Sequence, residues 1–186
     1  MSDKSIVILP AKEEYLPAVA LFAKQSFRDT FFEAAGYDEE EFLVFIEEEY
    51  SLQKLREWMN DSNDYGFVVA MKGDSICVGF SLVGKKCKLP FESVKENIDC
   101  EIYKCYIAKE YFGSGIATLL MNTSLEWIAE NCKFGDIYIG VWSENYRAQK
   151  FYSKFGAEKV GEYDYAVGET KDHEFIFRIN RNIKAN

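Results

Sequence analysis

At 186 residues, 48% of them hydrophobic and 28% charged, the chain is long enough to bury a core within one domain spanning residues 1–186. A formal net charge of −9 excludes the basic surface expected of a nucleic-acid binder, and suits either a cationic small molecule or plain solubility. Cys77, Cys87, Cys100, Cys105 and Cys132 form no CxxC pair and His173 is the only histidine, which excludes a Cys/His zinc site and points to free thiols in a reducing cytoplasm. The start, MSDKSIVILP, lacks the apolar stretch of a signal peptide, and no run approaches membrane-spanning length.

In chain order, Ser5 to Leu9 reads as a strand ended by Pro10. From Glu13 the period is helical, with Leu16, Val19, Ala20, Ala23 and Phe27 on one face and Pro17 admissible only in the first turn. Gly36 breaks this helix, Asp38 is placed to cap a second one, and Ser51 to Asn60 makes a third. Gly66 to Met71 and Ser75 to Val83 flank KGD as a hairpin, and Gly84 to Asn97 reads as an exposed loop. Cys100 to Ile107 is a strand, followed by a glycine turn and a helix carrying Ile116, Leu119, Leu120, Leu125 and Ile128. Asp136 to Trp142 is a strand and Asn145 to Phe155 a helix; Lys159 to Val167 and Glu174 to Ile179 close as a hairpin, with His173 in its turn. This order predicts a mixed α/β (α+β) domain with a mostly antiparallel sheet.

The segment KEYFGSGIATLL, Lys109 to Leu120, raises a chemical question. Gly113 and Gly115 stand one residue apart immediately before a helix, where free N–H groups and the helix dipole favour an anion. A P-loop needs GxxxxGK[ST], which is absent. A dinucleotide fingerprint needs a third glycine, where Thr118 stands, and an early place in a parallel unit. A third reading, the diphosphate of coenzyme A, comes only with a resemblance to a known family.

ExxGxGxAxxLL after the strand IYKCYI resembles the acyl-CoA-binding motif of the GNAT N-acetyltransferase superfamily, although Glu110 stands where that family usually has Gln or Arg. DIYIGVWSENYRAQKFYSKFGAEKVG resembles the next two family elements, with Asn145, Ala148, Phe151, Tyr152, Lys154 and Gly156 at the family's spacing and Ala157 replacing a frequent Phe. SFRDTF, GVWSEN and YDYAVGETKDHEFIF are similar to PaiA-type polyamine acetyltransferases. The resemblance is good over residues 98–180.

It implies a GNAT-like fold: a central sheet of about seven strands flanked by helices, splayed between the fourth and fifth strands. It also implies acetyl-CoA as cosubstrate without a metal, and direct transfer of acetyl to a primary amine, a cationic polyamine such as spermidine or spermine first. The alternatives are a protein N-terminus or lysine as acceptor, an antibiotic or metabolite amine, and a non-catalytic acyl-CoA sensor. The partner set is then a small amine, with neither nucleic acid nor membrane, and the chain a monomer or homodimer.

Phe112, Gly113, Ser114, Gly115, Ile116 and Ala117 would offer amides to the diphosphate. By the resemblance, the pantetheine arm would lie along Cys105, Tyr106 and Ile107 like an added strand, with Asn145 and Ala148 opposite. Tyr152 is the expected general acid, since a phenol of pKa ~10 can protonate a thiolate of pKa ~8.5. Glu101 matches a family position that accepts the amine proton directly or through water, and period two would place Glu101, Tyr103 and Cys105 on one face. No nucleophile-activating pattern surrounds Cys105, which argues against an acetyl-cysteine route. The acids between Asp29 and Glu49 could line an acceptor entrance or form a solvated face.

Overall fold

The computed structural model describes residues 5–32 and 35–181. Strand β1 (Ile6–Pro10) runs one residue further than expected, because an edge strand tolerates proline at its end. Helix α1 (Leu16–Phe27) keeps Pro17 in its first turn and buries the predicted stripe of Leu16, Val19, Ala20, Ala23 and Phe27. It runs directly into a π-helical turn, Arg28–Phe32, an irregularity that often accompanies function. Helix α2 (Glu39–Glu49) starts on Asp38, whose side chain accepts from the Glu40 and Glu41 amides at 3.0 and 3.1 Å. Ser51 caps helix α3 (Leu52–Asn60) in the same way.

Strands β2 (Tyr65–Lys72), β3 (Ile76–Gly84), β4 (Cys100–Ile107), β5 (Ile137–Trp142), β6 (Ala157–Val167) and β7 (Thr170–Ile179) join β1 in a seven-stranded sheet ordered β1-β2-β3-β4-β5-β7-β6. Neighbours are antiparallel except β4 and β5, which helix α4 (Ile116–Asn131) connects. Helix α5 (Tyr146–Ser153) leads from β5 to β6. Residues of α1, α2 and α3 pack on one face of the sheet, and those of α4 and α5 on the other. No helix among the described residues is long and apolar enough to cross a membrane.

The expected splay is present. β4 and β5 pair only at Cys100 with Ile137 and Glu101 with Tyr138, and then part. On its other side β4 carries a bulge: Leu82 faces Lys104 and Val83 faces Ile102, so Tyr103 is the extra residue. The bulge overturns one expectation. Tyr103 and Tyr106 pack toward α1, whereas Cys105 joins Cys100 and Ile102 on the α4 side, so Glu101, Tyr103 and Cys105 do not share a face.

Two further expectations are corrected. The segment after β3 is not simply an exposed loop, since Cys87 and Leu89 bury themselves against Tyr138 and Ile176. His173 lies inside β7, because the hairpin closes on Gly168 and Glu169 alone, and its ring meets Phe175 edge-on. The five cysteines are all free thiols.

Candidate active site

Where β4 and β5 part, a cleft of about 1000 Å³ opens and extends from the glycine turn to the acceptor-side strands. At the turn, Gly113 and Gly115 take φ of +78° and +90°, which L side chains rarely adopt, and a Cβ on either would meet nothing within 4 Å. The glycines are thus required by backbone conformation, and the space above them is open. Among the described residues, the amides of Gly113, Gly115, Ala117 and Thr118 have no hydrogen-bond acceptor, and all four residues line the cleft.

The Phe112 and Ser114 amides are engaged within the turn, by the carbonyls of Lys109 and Tyr111 at 3.1 Å each, so the expectation that they donate outward does not hold. The Ile116 amide points at Ser114 Oγ, 3.4 Å away, while its side chain is buried against β2 and β3. A cradle of free amides at the start of a sixteen-residue helix fits a diphosphate. Gly115→Ala adds φ strain of about 1 kcal/mol without a clash. We expect a modest loss in melting temperature but a loss of coenzyme A affinity of about tenfold or more, read by calorimetry.

Beyond Glu101, the β4 edge that faces β5 has no strand partner, leaving the Cys105, Tyr106 and Ile107 backbone open to an extended ligand. Across the gap, Asn145 Oδ1 caps α5 by accepting from the Ala148 amide at 3.1 Å, and both residues line the cleft. Tyr152 is 7% exposed, its ring edge-on to Phe151 at 5.4 Å. Its hydroxyl lies close to the Cys105 thiol, which also neighbours the Ser81 hydroxyl. Burial raises the Tyr152 phenol well above its usual range, so it stays protonated. Burial likewise pushes the Cys105 thiol up to about 12, leaving almost no thiolate for an acetyl-cysteine route.

The opposite wall is acidic and aromatic. Glu101 is buried, accepts from the Lys88 amide at 2.7 Å, and has its carboxyl raised by burial to about 7. Asp172 accepts from the Tyr37 hydroxyl and Glu174 from the Tyr163 hydroxyl; burial raises both carboxyls. Glu49 binds Lys104 at 2.8 Å and also Lys54; burial opposes its charge, but the two ammonium groups outweigh it and hold the carboxyl below its usual range.

Of the described acids between Asp29 and Glu49, only Glu49 lines the cleft; Asp29, Glu39 and Glu47 make ion pairs to Lys109, Arg28 and Lys24. The sequence reading missed Asp172 and Glu174, although a signal was there. They alternate on β7 opposite Tyr165 and Tyr163 on β6, a polar and aromatic face at period two.

The family profile described as "Acetyltransferase (GNAT) family" matches residues 26–157. An uncharacterized N-acetyltransferase of Lactobacillus delbrueckii subsp. lactis is 23% identical over 179 residues, covering 93% of this chain and 96% of the relative. The crystal structure of PaiA N-acetyltransferase from Thermoplasma acidophilum in complex with coenzyme A superposes with a TM-score of 0.72 at 23% identity, over 94% of this chain and 98% of that one. Ribosomal-protein-alanine N-acetyltransferase from Brucella melitensis superposes with a TM-score of 0.69 at 22% identity, over 93% and 98%. The seven-stranded sheet parted at β4 and β5, the amide cradle before α4 and the family match over 26–157 agree, and the chain belongs to the GNAT acetyltransferase family, acyltransferases that use acetyl-CoA.

Proposed function

We propose that the protein transfers acetyl from acetyl-CoA directly to a primary amine, with polyamines such as spermidine and spermine as favoured acceptors. The observation that carries this reading is one cleft holding two groups suited to opposite proton transfers: the Tyr152 phenol, kept protonated, and the Glu101 carboxyl, raised to about 7. When bound, acetyl-CoA supplies the activated acyl thioester.

The chain's own residues do the rest. The Gly113, Gly115 and Ala117 amides hold the diphosphate, within a turn that Phe112, Ser114 and Ile116 shape. The open edge of β4 at Cys105, Tyr106 and Ile107 orients the pantetheine arm, with Asn145 and Ala148 closing the other side. Glu101, directly or through water, takes the proton of the incoming ammonium. Tyr152 gives its proton to the departing sulfur.

The polyamine preference rests on Glu101, Asp172 and Glu174, set among Tyr103, Tyr106, Trp142, Tyr163 and Tyr165 along the acceptor side of the cleft. Carboxylates and aromatic faces attract ammonium groups. The test is thiol release from acetyl-CoA with spermidine, spermine, N-terminal and lysine peptides and aminoglycosides as acceptors. The polyamines should give the highest kcat/KM. Faster turnover of a peptide would move the assignment to protein acetylation, and tight coenzyme A binding without acceptor-dependent thiol would make the chain a sensor.

A further inference from the structure

We propose that the segment from Lys86 to Leu89, which follows β3, is a clamp that aims the Glu101 carboxyl, with Cys87 and Tyr103 as its positioning residues. The inference rests on the reading of Glu101 as proton acceptor and adds the groups that hold it in place. In register, Glu101 stands opposite Gly84, the last residue of β3, so the chain leaving β3 starts beside the carboxyl. A carboxylate next to an open cleft is drawn toward water unless other groups hold it. Glu101 is nevertheless buried.

The segment is tied down residue by residue. The Lys85 amide donates to the Asp64 carbonyl at 3.0 Å, and the Lys86 carbonyl accepts from the Tyr103 hydroxyl. Cys87 and Leu89 are buried with Tyr138 and Ile176. Between them, the Lys88 amide donates to Glu101 Oε2 at 2.7 Å, and the Cys87 thiol lies close to the same carboxyl. Tyr103 is the extra residue of the β4 bulge, and Gly84 makes room for it: a Cβ there would stand 2.5 Å from the Tyr103 ring. The Lys88 ammonium lies over that ring too, 5.8 Å from its centre. Packing fixes the backbone of the segment, and that backbone fixes the carboxyl.

The titratable groups that face Glu101 are Cys87 and Lys88 on the clamp, Tyr103 and Lys104 on β4, Tyr138 beside it on β5, and Tyr163 on β6, which donates to Glu174 of β7. Burial raises the carboxyl, and the Lys88 amide, the Lys88 and Lys104 ammonium groups and the Cys87 thiol offset part of that rise. Burial also pushes the Cys87 thiol up to about 12, so it stays a neutral donor while Glu101 titrates. Removing that donor therefore favours the protonated carboxyl.

The test is kcat/KM against pH, with the fastest acceptor among the polyamines and peptides and with thermal melting to confirm that each variant folds. Cys87→Ala should move the midpoint of the acidic limb upward by about half a pH unit or more, and Cys87→Ser, which restores a donor, should return it to within about 0.2 of the wild-type midpoint. Tyr103→Phe frees the Lys86 carbonyl. It should lower kcat/KM at pH 8 by about tenfold in the wild type but by less than about twofold in a Glu101→Gln background, because it acts through Glu101. A midpoint unmoved in Cys87→Ala, or a Tyr103→Phe loss of equal size in both backgrounds, would overturn the clamp, and a flat Glu101→Gln profile would then still support the proton acceptor. A Glu101→Gln profile like that of the wild type would overturn the acceptor and its clamp together.

Discussion

Tyr152→Phe is expected to lower kcat by about ten- to a thousand-fold while leaving the affinity for coenzyme A within about twofold. The substitution is gentle to the fold. The ring keeps its edge-on contact with Phe151, and only the hydroxyl is removed. What disappears is the donor that faces Cys105 across the cleft. Because burial keeps the phenol protonated well above the usual range, wild-type activity should show no loss of the acid form at any pH an assay can reach. Cofactor affinity is insensitive because the anchoring amides belong to the turn at Gly113 and Gly115, on another element. Steady-state kinetics with a saturating acceptor, beside a coenzyme A titration, reads both quantities. An unchanged kcat would reduce Tyr152 to an aromatic core residue, the role its packing with Phe151 and Phe155 could fill without chemistry.

What could be read before the structure was the part governed by local rules. The α1 stripe follows from 3.6 periodicity, the bounds of β4 from a run of apolar and aromatic residues, and the Asp38 and Asn145 caps from side chains that reach amides two or three residues on. The glycine turn was legible because positive φ restricts residue type.

What could not be read depends on partners remote in sequence. Tyr103 is a bulge only with respect to β3, so the phase that takes Cys105 off the Glu101 face is invisible in β4 alone. Asp172 looks like a solvated strand residue until the Tyr37 hydroxyl, from the other end of the chain, is seen donating to it. Cys87 and Leu89 belong to an irregular segment whose burial is set by Tyr138 and Ile176. The Phe112 and Ser114 amides look as free as those of Gly113 and Gly115 until the turn closes and uses them.

Glu101→Gln is expected to lower kcat/KM by about a hundredfold at pH 8 and to erase the acidic limb of the pH profile. With the carboxyl at about 7, wild-type kcat/KM should fall as the pH drops below 7, because the proton acceptor fills. The Gln variant has no such group and should be flat across that range. If water alone accepts the amine proton, both enzymes will share one profile and Glu101 leaves the mechanism.

The same burial predicts a stability effect of opposite benefit. The raised carboxyl holds its proton in the folded state up to about 7, whereas in the unfolded chain it ionises near the ordinary value of 4.5. The native state therefore binds more protons between these values, and stability is lost as the pH rises through them. Gln carries no charge to desolvate and can still accept the Lys88 amide, so at pH 8 the variant should be the more stable protein, by up to about 3 kcal/mol. Below about pH 4.5 that advantage should vanish, since Glu101 is then neutral in both states. Melting curves at the two pH values distinguish a carboxyl kept in a costly environment for its chemistry from one that merely supports the fold, where removing the charge would bring no gain at pH 8.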